Sequence, residues 1–564
     1  MVTIIADNIL SPLGKTTIEN VQAVRDSRTR LRQHRLCGIP EPFVASMFED
    51  GEGVRPKYEE LVGDSILACL DSCQLEGRVL LVLASTKGQT TGHNGVTFGE
   101  SAQRIVRRIS VFLPKVEVLH AITVSNACIS GLSAQIVAQR MLEMGCYDYA
   151  IVSGCDVLSP FIVAGFLSLK AMSPETCRPF DIDRNGLNLG EAAATLVFKR
   201  CSVDEVRSGQ WVALPGAMRN DAFSTVGPSR TAEGCKLALQ SVRFAVPHPA
   251  CLSAHGTATL YNDNMESIGI HDSVWSDVPV SGLKGYFGHT MGAAGIVESI
   301  VTMHAMSEGW IPGTRGYGML GTSRPIRVID RHLPLLQSDD SISFVKMMSG
   351  FGGCNAVMPY VLGPVASDRK EILPSLVAGH TVRITPDSAT VDGKKMDCGN
   401  VTGRQLLSAL YRQLKIDYPR YYKMDLLCRL GFIAAELLLH VEGLGATEPD
   451  EDPLRAVILF GKTASIVSDR NFEATLQRPD GDFYPSPADF VYTLPNIVTG
   501  EIAIRHRYHG ETCYFALSER DEAMMQQLSA QAFLDPQTQS AICGWINADD
   551  EEHFEAELTL LFKR

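Results

Sequence analysis

Three side chains in this sequence could together perform thiol chemistry: Cys128, His255 and His289. Cys128 lies in Ile122-Thr-Val-Ser-Asn-Ala-Cys-Ile-Ser-Gly131. A short β-type run there (Ile122, Val124) turns at Asn126-Ala-Cys128 into a stretch whose Leu132, Ile136, Val137 and Leu142 recur near helical spacing. The cysteine is therefore expected at a strand-to-helix turn. There the positive end of the helix dipole and free backbone N–H groups favour a thiolate, lowering a pKa otherwise about 8.5. His255 occupies a small-residue loop, Ser253-Ala-His-Gly-Thr-Ala-Thr259, and His289 a glycine-rich one, Ser281-Gly-Leu-Lys-Gly-Tyr-Phe-Gly-His-Thr-Met-Gly-Ala-Ala-Gly295, which also holds Lys284. Glycines allow backbone to pack closely around whatever that histidine faces. A lone cysteine or histidine is more often core packing than chemistry. The combination describes a thiol nucleophile with two imidazole donors.

The elements that must carry these residues have α/β character. Gly77-Arg-Val-Leu-Leu-Val-Leu-Ala-Ser85 and Tyr149-Ala-Ile-Val-Ser-Gly154 are continuous apolar runs typical of strands covered on both faces. With the Cys128 turn and helix between them they form a βαβ unit. Cys177-Arg-Pro-Phe-Asp-Ile-Asp-Arg-Asn-Gly-Leu-Asn-Leu-Gly-Glu191 is a polar loop feeding a buried strand from Ala192 to Phe198, with Asp181 and Arg184 read as an ion pair holding it. Asn262, Asp263 and Glu266 follow the His255 loop, and Ser349-Gly-Phe-Gly-Gly-Cys-Asn355 follows a further apolar strand.

At 564 residues, 45% hydrophobic and 20% charged, the chain is long enough for two or more soluble globular units. No basic leader precedes an apolar core at Met1, and runs such as Gly431 to Leu439 are too short to span a bilayer, so a cytoplasmic location is expected. Fifteen cysteines lie without a C-x-x-C pair or a Cys/His ligand cluster, which suits reduced thiols and no structural metal. A net charge of -13 argues against a nucleic-acid partner. Arg104, Arg107 and Arg108 offer a basic patch for an acidic carrier protein, weighed against the plainer reading of a solvated helix face.

Asn126-Ala-Cys-Ile-Ser-Gly131, Arg178-Pro-Phe-Asp181, Gly190-Glu191, His255-Gly-Thr-Ala-Thr259 with Asn262-Asp263, Lys284-Gly-Tyr-Phe-Gly-His-Thr-Met-Gly-Ala-Ala-Gly295 and Gly350-Phe-Gly-Gly353 together resemble the signature series of the β-ketoacyl-acyl carrier protein synthases, the elongating condensing enzymes of the thiolase superfamily. The resemblance covers residues 1 to about 364. It implies a thiolase-like αβαβα layered fold in two halves and a decarboxylative Claisen condensation. Cys128 would take an acyl chain from a carrier-protein thioester, and His255 and His289 would stabilise the enolate left when malonyl-carrier protein loses carbon dioxide. The backbone N–H groups of Cys128 and Phe351 would form the oxyanion hole, with Phe351 also gating. Lys284, paired with Glu298, would organise the site electrostatically, and Asp263 would support it. No metal and no diffusible cofactor are implied. The partners implied are acyl carrier protein, malonyl and acyl thioesters, and either a homodimer or pairing with a synthase-like partner. An initiating synthase would use a Cys/His/Asn set, whereas His289 stands in the third place here. Cys128 lies nearer the N-terminus than is usual for the family, which implies trimmed loops at the interface and acyl pocket.

Residues 371–564 read as a second, smaller α/β domain behind a linker at 365–370. Arg404 to Ile416 has helical spacing, Tyr418 to Asp425 opens a helix running to about Leu439, Glu448 to Pro453 is an acidic surface loop, and Arg455 to Gly461 repeats the strand character of Arg78 to Leu83. Cys128 precedes Ala150 by 22 positions, and Glu519, after the strand Thr512 to Leu517, precedes Ala541 by the same interval. Pro485 to Glu501 also resembles the family segment before the nucleophile strand. The expectation is a degenerate copy of the synthase's N-terminal half, with Glu519 in the nucleophile's place, Cys513 in the core, and no catalysis of its own. Such a unit would cover the synthase or shape its pocket, as inactive homologues do in aromatic polyketide and aryl-polyene or flexirubin pigment pathways. The alternative is a wholly non-catalytic, chain-length-factor-like partner, which predicts loss of Cys128.

Overall fold

A computed structural model describes residues 1–48, 57–89, 96–335, 341–363, 373–444, 452–476 and 483–564. The expected linker at 365–370 and most of the acidic loop at 448–453 lie outside the described residues. Three five-stranded sheets follow one another. The first uses β1 (Val2–Leu10), β2 (Gly77–Ala84), β3 (Val116–Val124), β4 (Tyr149–Asp156) and β5 (Ala192–Arg200), in the order β3-β2-β4-β5-β1. The second uses β6 (Ala217–Asn220), β7 (Cys251–Ser253), β8 (Val280–Ser281), β9 (Ser343–Gly350) and β10 (Cys354–Leu362), in the order β8-β7-β9-β10-β6. The third uses β11 (Leu376–Thr385), β12 (Ala456–Gly461), β13 (Thr512–Ala516), β14 (Ser540–Ala548) and β15 (Phe554–Lys563), in the order β13-β12-β14-β15-β11. In each sheet the first three strands of the order run parallel to one another, and the fifth strand in sequence runs antiparallel between the fourth and the first.

Helices α1 (Ser130–Glu143) and α2 (Ala294–Ser307) form the layer between the first two sheets. Residues 130–142 of α1 are buried all round, as a helix sandwiched between two sheets must be. The two helices meet where only glycine fits: a Cβ on Gly131 would lie 2.5 Å from the Gly292 carbonyl oxygen, and one on Gly295 would lie 2.7 Å from the Leu132 nitrogen. Helices Tyr58–Leu70 and Phe98–Ile109 pack against the first sheet with a separate core, and Glu233–Val242 and Leu260–His271 pack beside the second. The result is the expected αβαβα layering.

In the third sheet's unit, the helical spacing at 404–416 is realised as helix Gly403–Gln413. The continuous helix expected from Tyr418 is instead a 3₁₀ turn, Pro419–Lys423, followed by α3 (Leu426–Val441). Asp425 makes the break, accepting a hydrogen bond from the Cys428 N–H as the N-cap of α3. Two more helices follow, α4 (Ile497–His506) and α5 (Glu522–Ala532).

The first and third sheets join edge to edge. β3 pairs antiparallel with β13 through Val124↔Phe515 and Thr123↔Ala516, extended by Ser125 N–H donating to the Tyr514 carbonyl at 3.1 Å. An offset of 392 residues carries Val124 onto Ala516 and Ser130 onto Glu522, so the two units are related by a pseudo-two-fold axis passing between those residue pairs. The same offset carries Cys128 onto Arg520, which corrects the reading of Glu519 by one position. Arg520 pairs with Glu557 at 2.8 Å and Glu522 at 2.5 Å, whereas Glu519 is exposed. Cys513 is fully buried. The outer edge of β3 is thus occupied by the chain's own β13.

Among the described residues two buried ion pairs cross this junction, Arg140 with Glu511 at 2.7 Å and Arg219 with Asp535 at 2.6 Å, and a third, Lys87 with the half-buried Asp469 at 2.6 Å, joins them, each with its cation from the first part. Arg140 also donates to Gln531 at 3.2 Å and to the Gly216 carbonyl at 3.2 Å, and Arg219 reaches Gln537 at 2.5 Å. Removing one partner of such a pair strands a buried charge and costs about 3–5 kcal/mol. Glu511→Gln is therefore expected to destabilise the full chain by roughly 3–5 kcal/mol in urea unfolding, with much of the loss recovered by adding Arg140→Met. A change of less than about 0.5 kcal/mol, the range of an ordinary surface substitution, would show that the pair does not hold the units together.

Candidate active site

Cys128 sits in a 3₁₀ turn, Ala127–Ile129, between β3 and α1. Ala127 is left-handed at φ +48°, a conformation costing a non-glycine residue about 1–3 kcal/mol and sustained here by its surroundings. Ser130 fastens the turn, its Oγ accepting from Asn126 N–H at 2.8 Å and donating to the Ala127 carbonyl at 2.6 Å. The thiol lines a cavity of about 410 Å³ together with His255, His289 and Phe351. Burial pushes this thiol up to about 12, opposed by the Lys284 ammonium and by the N–H groups of Cys128 and Phe351, which both face the sulfur. The resting group is thus a thiol. The expected ready thiolate is overridden by desolvation.

Both imidazoles are locked in one tautomer. Lys284 Nζ lies 3.1 Å from His255 Nδ1, and Met291 N–H donates to His289 Nδ1 at 3.3 Å. Neither an ammonium nor a backbone amide can accept, so each Nδ1 is the acceptor and each ring carries its proton on Nε2. The His289 Nε2 has no protein partner among the described residues. The rings stand 5.2 Å apart at 81°. Burial, then the Lys284 charge, holds both well below the ordinary value of 6.5, so both are neutral donors.

Beneath them is a charge cluster larger than the sequence suggested. Lys284 Nζ donates to Glu298 at 2.7 Å and to the His255 carbonyl at 2.5 Å. The other Glu298 oxygen accepts from Lys346 at 2.6 Å, and Lys346 also donates to the Ser253 and Ala254 carbonyls at 3.0 Å. Lys346 was missed, although a lone lysine within the apolar run Phe344 to Met348 demanded a buried partner. Glu266 shapes the His255 loop by accepting from the His255 and Gly256 N–H groups at 2.7 Å each, and burial pushes it up to about 7. Asp263 accepts from Thr257 N–H at 2.9 Å and Phe180 N–H at 2.6 Å. Arg184 faces Asp263 at 3.9 Å and donates to the backbone carbonyls of Asp181, Gly321 and Leu260, while the Asp181 carboxylate holds Gly318 and Met319 N–H. The expected Asp181–Arg184 ion pair is therefore corrected, because the loop turns the aspartate towards free amides.

Asp156, also missed, is a fully buried carboxylate ending β4. It accepts from Ser85 Oγ at 2.7 Å and Gly292 N–H at 2.7 Å, tying the His289 loop to β2. Phe351 packs near Phe166, ring centroids 6.3 Å apart, with Gly352 and Gly353 at positive φ behind it. Phe490, from the third sheet's unit, stacks edge-on to Phe166 at 5.6 Å and lies over Gly165, where a Cβ would come within 2.1 Å of its ring. Of the basic patch, Arg104 pairs with Glu59 and Arg108 with Asp64, and among the described residues Arg107 has no carboxylate partner. Among the described residues there is no metal-ligating cluster of His, Cys, Asp or Glu, and no helix long and apolar enough to cross a membrane.

Residues 90–203 match the family pattern "Beta-ketoacyl synthase, N-terminal domain" and residues 215–317 "Beta-ketoacyl synthase, C-terminal domain". Similar proteins include "Nodulation protein E" of Rhizobium leguminosarum bv. trifolii, 32% identical over 42% of this chain and 60% of the relative. "3-oxoacyl-[acyl-carrier-protein] synthase 2" of Vibrio cholerae serotype O1 is 31% identical over 34% of this chain and 51% of the relative. The chain thus spans about half to three fifths of the curated relatives it matches. Among solved structures, "PfaC Keto synthase-Chain length factor" matches with a TM-score of 0.74 and 13% identity, over 100% of this chain and 78% of that one. "The ishigamide ketosynthase/chain length factor" gives 0.55 and 23%, over 64% and 98%. These structural likenesses establish a thiolase-like fold. The family matches show that the stretch carrying Cys128, His255 and His289 belongs to the β-ketoacyl synthase family.

Proposed function

We propose that residues 1–364 catalyse a decarboxylative Claisen condensation between an acyl group on Cys128 and malonyl-acyl carrier protein, giving 3-oxoacyl-acyl carrier protein for fatty acid or polyketide synthesis in the cytoplasm. The observation that carries this reading is the convergence on one cavity of a thiol and two imidazoles fixed as neutral Nε2–H donors. The Cys128 sulfur attacks the acyl thioester carbonyl, its proton leaving with the carrier thiol. Malonyl thioester then loses carbon dioxide, and the negative charge that develops on its carbonyl oxygen is met by the Nε2–H groups of His255 and His289. The enolate carbon attacks the Cys128 thioester, and the resulting oxyanion sits at the N–H groups of Cys128 and Phe351. Collapse expels the cysteine sulfur, which regains a proton. Lys284, Glu298 and Lys346 keep His255 oriented and neutral, and Asp263 with Glu266 braces its loop.

Residues 371–564, joined by a linker at 365–370, serve as an internal, nucleophile-less partner of the chain-length-factor kind, as in the aryl-polyene or flexirubin type of pathway. Arg520 in the nucleophile position and Phe490 behind the acyl cavity support this role. The pairing that other synthases make between chains is thereby made within one chain. The alternative, a wholly non-catalytic partner of the chain-length-factor kind, is fitted in part by the ketosynthase–chain length factor structures this chain resembles, but Cys128 and both histidines are in place, which favours catalysis.

The reaction is tested by incubating the full chain with acyl- and malonyl-carrier protein. A 3-oxoacyl product with one carbon dioxide per product is expected, and neither product nor decarboxylation would overturn the reading. Because both histidines are held below 6.5, the neutral form persists on acidification, so malonyl decarboxylation is expected to keep its rate as pH falls through 6.5. A single-proton loss of rate centred near 6.5 would contradict the assigned protonation. Phe490→Ala is expected to shift loading on Cys128 towards longer acyl groups. An unchanged chain-length profile would separate Phe490 from the pocket.

A further inference from the structure

We propose that Asn496, from the nucleophile-less unit, is a positioning residue for the oxyanion hole of the catalytic one. This rests on the condensing reading above and extends it to how that site is held. Asn496 is the N-cap of α4, where an asparagine ordinarily uses its side-chain oxygen to accept from the helix's first free N–H groups. Here no such capping bond forms, and the buried Oδ1 has no protein partner among the described residues. The amide is turned the other way: Nδ2 donates across the junction to the Phe351 carbonyl at 2.8 Å and lies 3.8 Å from Cys354 Sγ. A carbonyl oxygen only accepts, so the group facing Phe351 must be the NH₂. The residue is therefore spent on the loop of the other unit and not on its own helix.

The surroundings are built for this contact. A Cβ on Gly352 would lie 2.6 Å from Asn496 Nδ2, and one on Gly500, a turn into α4, would lie 2.7 Å from the Gly352 carbonyl oxygen. Gly352 holds φ +89°, so both glycines are needed for the loop and helix to approach this closely. The next carbonyl, of Gly352, is held by Asn220 Nδ2 at 2.8 Å. Asn126 Nδ2 in turn donates to the Thr512 carbonyl of β13 at 2.9 Å, fixing the turn that carries the Cys128 N–H. Both N–H groups that face the Cys128 sulfur thus belong to backbone segments fastened by an asparagine amide to the nucleophile-less unit. That unit sets the spacing of the two donors.

The test compares the full-length protein with Asn496→Ala, Asn496→Asp and Asn496→Ser, the last keeping a donor. Acyl transfer from an acyl-carrier thioester to Cys128 uses the oxyanion hole, whereas malonyl decarboxylation uses the histidines. Misplacing a reacting geometry by about 1 Å costs up to ~100-fold. The expected result is a ~10–100-fold slower single-turnover acylation for the alanine and aspartate variants, by the same principle, with partial recovery for serine. The carrier concentration at half-saturation, the decarboxylation rate and the melting temperature are expected to stay near those of the parent. Acylation at the parent rate in Asn496→Ala and Asn496→Asp would overturn the proposal, as would acylation and decarboxylation falling together with the melting temperature. A parent chain that is never acylated would instead overturn the condensing reading itself, and this proposal with it.

Discussion

The structure depends on one short antiparallel contact, the pairing of β3 with β13 around a pseudo-two-fold axis. Main-chain hydrogen bonds merge two sheets there, and the two strand-to-helix turns emerge from it in opposite senses. One turn carries Cys128 and the other Arg520. Because β-sheet register is set in steps of one residue, a slip at this junction would turn every buried face outward and would separate Asn126 from Thr512. Arg140 and Glu511 guard against such a slip, since each would become a lone buried charge. The same contact explains why an edge that could otherwise aggregate is closed within the chain.

The site works by arranging charge it has already taken out of water. Cys128, His255 and His289 are all uncharged at rest because burial disfavours their ionised forms. The fixed charges lie beneath, the Glu298 carboxylate bridging the two lysines Lys284 and Lys346 through short hydrogen bonds. Charge that develops along the reaction then meets donors that are already oriented and need not reorganise. Close glycine contacts between α1 and the His289 loop bring two halves of the fold to one cavity, and Asp156 secures that loop from the β2 side.

How much of this was legible in the sequence differs by residue. The apolar runs at 77–85 and 149–154 became β2 and β4 because a strand covered on both faces leaves no other pattern. The motif loops placed Cys128, His255, His289 and Phe351 around one cavity. The repeat spacing points to a second unit but names Glu519, since equal intervals to a strand say nothing about where the ladder begins; the paired register assigns Arg520. Lys346 and Asp156 were overlooked because each is one charge in an apolar strand, and their partners lie far away in sequence. The Asp181–Arg184 pairing failed for the opposite reason: nearness in sequence was taken for nearness of side chains. Asn496 reads as an ordinary helix cap until its side chain is seen turned across the junction.

The central claim is that one chain holds one nucleophile, Cys128, and a second unit that has none. Intact-mass measurement of the full chain after exposure to excess acyl-carrier thioester tests it most directly. The account predicts one acyl adduct per chain, lost in Cys128→Ala. A second adduct, or a single one that survives that substitution, would contradict it.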